Sequence, residues 1–242
     1  MALLALTVVV AVSLVLPVTL VGRWLLAHLA APVDELGIRP SLLVTTGSTI
    51  SLALAAAAVT TVLALPGAWL LSRRRTAWTL VLERVTYIAS SLPGVVIALA
   101  LITVSVRYVP GIYQSPLLLV LCYSILFIPR AMVSLRSGLA AAPPELSDAA
   151  RSLGCSPLGA FRRVVLPLIL PSALTGAALV AIAAATELTA TLLLSPTGTS
   201  TLATAFWAAS DEFDYAGAAP FAAMMILLSA PLTVLMLRQS GI

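Results

Sequence analysis

Few residues in this chain can do chemistry, and most of them stand alone. Glu187 lies inside a long run of alanines, leucines and threonines. An ionised carboxylate in a membrane core costs about 3 kcal/mol on insertion scales. If that run spans a bilayer, Glu187 must face a bundle interior or a wet cavity. Thr186, Thr189 and Thr191 offer nearby hydroxyls, and Arg130 is a candidate ion partner. Two roles fit: a pathway or gate residue for a polar or cationic substrate, together with Thr189, or a hydrogen-bonded helix–helix contact. The single histidine, His28, has no cysteine or second histidine beside it. Cys122 and Cys155 show neither metal nor disulfide spacing, so no metal site is expected. The G-x-x-x-x-G-K-[ST] phosphate loop is missing, and a chain without lysine cannot contain one. The H-E-x-x-H and G-x-S-x-G hydrolase signatures are missing as well. The chain reads as a non-enzyme.

A second group of residues occupies 143–165, the longest polar interruption of an otherwise apolar sequence. Asp148-Ala149-Ala150 is followed by three residues, Gly154, nine residues, and then Val164-Val165-Leu166-Pro167. Pro143-Pro144 cannot continue a helix but can begin one. Glu145 and Asp148 then fall in the first turns, where carboxylates favour the helix dipole. Leu146, Ala149, Ala150 and Leu153 follow the i, i+3, i+4, i+7 spacing of one apolar stripe. The two alanines keep that stripe flat enough for another protein surface to approach. Gly154 is placed to end the helix in a left-handed conformation that other residues adopt at a cost. Ser156-Pro157 is a cap followed by a first-turn proline, so a second short helix is expected there. It carries Arg162 and Arg163 to a membrane surface before Leu166-Pro167 opens the next apolar run. A DNA-reading helix-turn-helix is excluded, because its second helix runs into the bilayer. No nucleic-acid partner is expected.

The elements that position these groups follow from composition. Hydrophobic residues make up 61% of the 242 positions and charged residues only 9%, against roughly 25% charged in an average soluble domain. This is an all-α integral membrane protein with no sizeable soluble domain. A span needs about 20 mostly apolar residues to cross roughly 30 Å of hydrocarbon. Six candidates result, at about 3–26, 42–71, 85–106, 116–135, 166–194 and 218–237. Pro66-Gly67 in the second and Pro93-Gly94 in the third are expected to kink their helices. The stretch 1–21 carries no charge and is too long for a signal-peptide core, so it is expected to be a retained span. Positive charge sets the sides. Arg73, Arg74, Arg75, Arg84, Arg136, Arg151, Arg162, Arg163 and Arg238 fall on one side, nine of the thirteen arginines. Asp34, Glu35, Asp211, Glu212 and Asp214 collect on the other, with Arg39 and Arg107. The arginine-rich side is expected to be cytoplasmic, and both termini with it. Residues 201–210 are expected to form a short amphipathic helix with Phe206 and Trp207 at the outer interface. The acidic residues and Tyr215 after it offer either a docking surface or an ordinary solvated loop.

The 143–165 pattern resembles the cytoplasmic loop of binding-protein-dependent ABC importer permeases, the inner-membrane components with a MetI-like transmembrane domain. That family's pattern is Glu-Ala-Ala, three residues, Gly, nine residues, Ile-x-Leu-Pro. Asp148 stands here for the Glu and Val164 for the Ile. The resemblance extends over about 41–237. Leu92-Pro93-Gly94-Val95-Val96 matches the family's core bundle. Glu187-Leu188-Thr189-Ala190-Thr191, Ser195-Pro196-Thr197-Gly198-Thr199 and Thr201-Leu202-Ala203-Thr204 look like the ferric-iron and thiamine branch.

The resemblance implies a single type I permease domain over 1–242, in the bacterial cytoplasmic (inner) membrane. It implies that 143–165 docks on a cytoplasmic ABC ATPase dimer. Asp148 supplies the polar contact, with Glu145 beside it. Ala149, Ala150 and Leu153 fill the ATPase cleft, Gly154 permits the bend, and Pro157, Leu166 and Pro167 set the return into the membrane. ATP and magnesium belong to that partner, and no cofactor belongs to this chain. A second permease half and an extracytoplasmic substrate-binding protein complete the assembly. The chain resembles one half of a fused two-half permease, the second, and stands either as a separate half-subunit or as a fragment. Ferric iron is the expected substrate, ahead of thiamine, polyamine or an oxyanion. The rival reading is a proton-coupled secondary transporter that titrates Glu187. A structural membrane anchor is a third. Neither accounts for the loop spacing.

Overall fold

The computed structural model describes residues 1–30, 41–73 and 76–239, and among them there are helices and connecting turns but no strand. Asp34, Glu35, Arg39, Arg74 and Arg75, used above to orient the chain, lie outside the described residues. In chain order the helices are α1 (Ala2–Ala30), α2 (Leu42–Arg73), α3 (Ala77–Ser91), α4 (Gly94–Tyr108), α5 (Pro116–Ala140), α6 (Pro144–Ser152) and α7 (Pro157–Ala160). A wide helical turn at Phe161–Val165 joins α7 to α8 (Leu166–Ala185), followed by α9 (Thr189–Leu194), α10 (Leu202–Asp211) and α11 (Tyr215–Gln239). Four stretches are long and apolar enough to cross a membrane: Leu6–Ala30, Leu42–Arg73, Pro116–Ala140 and Pro157–Ala185. Gly94–Tyr108 and Tyr215–Pro231 are shorter apolar helices. At 15 residues, α4 reaches only about 22 Å, so it needs α3 to complete a crossing.

The core is the packing of α2, α5 and α8. Lipid tails are as apolar as leucine, so helices in a bilayer associate through close packing and interhelical hydrogen bonds, and small residues favour both. Ala56, Ala64 and Ala68 of α2 and Ala131 of α5 are fully buried. The antiparallel crossing of α5 and α8 is built from two small-x-x-x-small pairs, Ser134/Gly138 and Ser172/Gly176. A Cβ on Gly138 would lie 2.7 Å from the Ser172 Cβ, and one on Gly176 would lie 2.9 Å from the Ser134 Cβ. Side chain therefore cannot be added at either glycine without driving the helices apart. The Thr60 hydroxyl donates to Ser124 Oγ at 3.1 Å between α2 and α5. The Leu202 amide donates to Thr49 Oγ1 at 2.9 Å between α10 and α2. By contrast, α1 lies outside the core. It packs against α11, where Trp24 stacks on Tyr215 with ring centroids 5.0 Å apart.

Two expected spans are corrected. The third does not kink at Pro93-Gly94 but divides there into α3 and α4, and α3 begins earlier than expected, at Ala77. Pro93 has no amide to donate and disfavours helical backbone at the residue before it, here Leu92. The fifth does not run unbroken to 194, because Thr186-Glu187-Leu188 interrupts it between α8 and α9. The Thr186 hydroxyl turns back to the carbonyls of Ile182 and Ala183, at 3.0 and 3.3 Å, competing with the helix ladder. The same span also starts earlier, since α7 and α8 form one continuous rod from Pro157. Pro66-Gly67 leaves α2 a single helix.

Candidate functional site

The polar loop is a backbone construction. Pro143 is extended, with φ −62° and ψ 156°, and Pro144 opens α6 as its first residue. At the far end Gly154 has φ +89°. Its amide donates to the Arg151 carbonyl at 3.0 Å, and the Cys155 amide donates to the Ala150 carbonyl at 3.1 Å. This is a Schellman closure, which satisfies the last carbonyls of the helix. Ser156 then caps α7 by accepting the Gly159 amide at 3.1 Å, with Pro157 in the first turn. Glu145, Asp148, Ala149 and Leu153 are exposed, Leu153 to 87%, whereas Ala150 is buried against the loop itself. The expected four-residue stripe is thus divided, with Ala150 facing inward. Leu146 and Leu158 complete an apolar rim around the exposed loop. Asp148 and Arg151 approach to 3.8 Å, both exposed, and such a pair contributes almost nothing to stability.

Both feet of this loop stand on the end of α2. Arg73 donates to the carbonyl of buried Ala142 at 3.4 Å, and its guanidinium lies 4.4 Å from the centre of the Trp69 ring. Trp69 in turn meets Phe161 edge-on, with centroids 5.4 Å apart. Leu166 and Pro167 are exposed on the first turn of α8. The loop is a rigid lever fixed at two points.

The second candidate is a junction where two helix breaks face each other. A Cβ on Gly94 would lie 3.1 Å from Glu187 Oε1 and 3.2 Å from Thr189 Oγ1. Glu187 Oε1 accepts the Thr189 hydroxyl at 2.6 Å and the Ala190 amide at 3.2 Å. The Thr191 hydroxyl returns to the Glu187 carbonyl and also meets the Tyr123 hydroxyl, at 2.6 Å, on α5. Arg130 is not the ion partner expected for Glu187: its guanidinium lies 4.9 Å from the centre of the Phe127 ring. One hydroxyl, that of Thr189, and one backbone amide, that of Ala190, hold the carboxylate instead. Tyr123 is not among the residues singled out from the sequence, and Gly94 figures there only as part of a kink and of a core-bundle motif. The Pro-Gly break in an apolar run was the signal that pointed to Gly94.

An ion pair that sequence reasoning missed joins Glu83 of α3 to Arg136 of α5. Its signal was the one acidic residue in an arginine-rich segment. The short helix expected at 201–210 is α10, and Thr201 and Thr204 form a reciprocal capping box at its start. Trp207 is 46% exposed there. Asp214 accepts the Gly217 amide at 2.8 Å, so part of the acidic cluster caps α11.

Residues 64–240 match the family model described as binding-protein-dependent transport system inner membrane component. The Fe(3+)-transport system permease protein FbpB 2 of Haemophilus influenzae is 36% identical over 173 residues, covering 72% of this chain and 34% of that protein. A 2-aminoethylphosphonate transport system permease protein, PhnV of Salmonella typhimurium, is 30% identical over 162 residues, covering 66% of this chain and 60% of that protein. The chain therefore spans only part of the length of either relative. An inward-facing structure of the MetNI methionine ABC transporter superposes with a TM-score of 0.65 at 16% identity, covering 81% of this chain and 93% of the matched one. That likeness establishes the fold, a MetI-like transmembrane helical bundle. With α5, α8, the loop and both helix breaks inside a matched region that covers most of the sequence, the chain belongs to the binding-protein-dependent transport system inner membrane component family.

Proposed function

We propose that the chain is the membrane-spanning half of an ATP-driven importer that receives its substrate from an extracytoplasmic binding protein. The observation that carries this reading is the rigid lever formed by α6, Gly154 and α7. An exposed helix ringed by Leu146, Leu153 and Leu158, closed by backbone hydrogen bonds and braced on α2, is built to be gripped. The gripping partner is a separate ABC ATPase, which binds ATP and magnesium. Asp148 and Glu145 make the polar contacts, Ala149 and Leu153 the apolar ones, and Gly154, Pro157, Leu166 and Pro167 hold the shape. ATP-driven closure of two ATPase subunits pulls two such levers together, and the spans alternate between inward and outward access. One chain supplies half of the path, so a second permease half is required. The lever side is cytoplasmic, with both termini.

Ferric iron is the substrate we favour, on the strength of the FbpB relative, with an anionic phosphonate second on the strength of PhnV. Glu187 and Thr189 are candidate gate residues. Purification of the tagged chain from native membranes in mild detergent tests the reading. An ABC ATPase is expected to co-purify, and Asp148→Arg is expected to lose it. Uptake of radiolabelled ferric iron against 2-aminoethylphosphonate then separates the two substrates. A chain that purifies alone, with uptake following a pH gradient and abolished in Glu187→Gln, overturns the importer reading.

A further inference from the structure

The cytoplasmic lever and the intramembrane junction lie at opposite ends of a mechanical problem. The α7–α8 rod runs from the lever to the Glu187 side of the junction, and an ion pair ties the lever's other helix, α5, to the Pro93-Gly94 side. The lever is continuous with the end of α5, and Arg136 sits in the last two turns of that helix. Arg136 pairs with Glu83 on α3, both about a third exposed or less, at 33% and 27%. From Glu83 to Ser91 α3 is unbroken, roughly 12 Å of rigid helix. It ends at Leu92-Pro93, and the next residue, Gly94, lies against Glu187 and Thr189. Elsewhere α3 is loosely held. Trp78, Val81, Val85 and Ile88 are exposed to between 50% and 83%, and its packing within the chain is to α5 and the end of α2.

We propose that the Glu83–Arg136 ion pair is a strut that makes α3, and with it the Pro93-Gly94 junction, follow the cytoplasmic lever when α5 moves. The source of that motion rests on the importer reading above. Without the pair, α5 is freer to shift along α3, because the charged tie that fixes their register is gone. With it, displacement at the lever reaches the face of Glu187. Glu83 and Arg136 are positioning residues: neither touches the junction directly. A partly exposed ion pair of this kind fixes direction more than it adds stability.

The test uses the full chain in two measurements. First, spin labels are placed at Val85→Cys on α3 and Val133→Cys on α5, both exposed, with Cys122 and Cys155 changed to alanine. Spin–spin broadening is expected in the parent. It is expected to be lost in Glu83→Gln and in Arg136→Gln and to return in the charge swap, Glu83→Arg with Arg136→Glu. Second, maleimide labelling of Leu92→Cys is followed in the complex purified with its native partners. ATP is expected to change the labelling rate several-fold in the parent. In either single variant that change is expected to vanish while ATP hydrolysis persists, and the swap is expected to restore at least half of it. A merely structural pair would lower yield and leave the ATP-dependent ratio untouched. Single variants that keep both the broadening and the ATP response, or a swap that restores neither, overturn the strut. A parent complex with no ATPase and no ATP response overturns the importer reading alone, and the spin-label series then judges the strut by itself.

Discussion

Helix α6 ends at Gly154 with nothing but backbone: a left-handed residue, two amides turned onto Ala150 and Arg151, and open space where a side chain would be. Helix α8 ends at Thr186 and Glu187 in another manner. There the freed polar groups are met by side chains, the Thr186 hydroxyl behind the break and the Glu187 carboxylate ahead of it. The surroundings account for the difference. At the water-exposed lever, any unmet carbonyl can bind solvent, so the turn needs only a residue that tolerates positive φ. Within a membrane span, whether a group faces lipid or another helix, no bulk water replaces a lost partner, and each unmet group costs several kcal/mol. The lever is thus sensitive to backbone conformation and the junction to side-chain chemistry.

That contrast can be broken in four ways, in decreasing order of effect. Glu187→Leu and Glu187→Gln are both neutral, yet only Gln keeps an acceptor for the Ala190 amide. The Leu variant is expected to be less stable than the Gln variant by about 1–3 kcal/mol, the cost of one orphaned buried donor. Thermal unfolding of the two in detergent reads the difference, and equal midpoints would remove the junction's claim to chemical specificity. At the lever, Gly154→Val forces a β-branched residue into left-handed backbone, at about 1–2 kcal/mol, whereas Gly154→Asn is expected to be milder. Hydrogen exchange at the Gly154 and Cys155 amides should rise about tenfold in the Val variant and much less in the Asn variant.

Ser156→Ala removes the cap of α7 at about 1 kcal/mol. Faster exchange at the Gly159 amide, with the unfolding midpoint of the bundle unmoved, is the expected outcome. The smallest stability effect belongs to Asp148→Asn. Its exposed pair with Arg151 contributes less than about 0.5 kcal/mol, so a shift in midpoint beyond experimental scatter would show the pair to be structural after all. The same variant is the sharpest probe of partner binding, since its effect on ATPase co-purification is not masked by unfolding.

Two Pro-Gly dipeptides show how far the sequence could be read. Pro66-Gly67 and Pro93-Gly94 carry the same local signal, and both were expected to kink a helix. The first stays within one helix because α2 is gripped along its length by α5 and α8, with Met132 within 3.4 Å of where a Gly67 side chain would begin. The second breaks because α3 has an exposed apolar face and α4 finds its own partner in α9. Proline disfavours the helix equally at both positions, and tertiary contact decides the result. The lever was legible because caps, prolines and Gly154 act within a few residues of one another. The junction was legible only as an oddity, a carboxylate among alanines. Its facing partner, Gly94, lies 93 residues away from Glu187 in sequence, and no local pattern links them. The Glu83–Arg136 pair was hidden for the same reason.

The position of α1 imposes a timetable on the making of this protein. It leaves the ribosome before α2, α5 and α8, yet its chief neighbour, α11, follows all of them, through Trp24 and Tyr215. The two rings are separated by 191 residues of chain, which at translation rates of about 5–20 residues per second take roughly 10–40 s to make. Throughout that interval α1 must rest in lipid on its own hydrophobicity while α2, α5 and α8 find one another. Its docking is a closing event rather than a founding one, and the nascent bundle must keep the flank of α11 free until then.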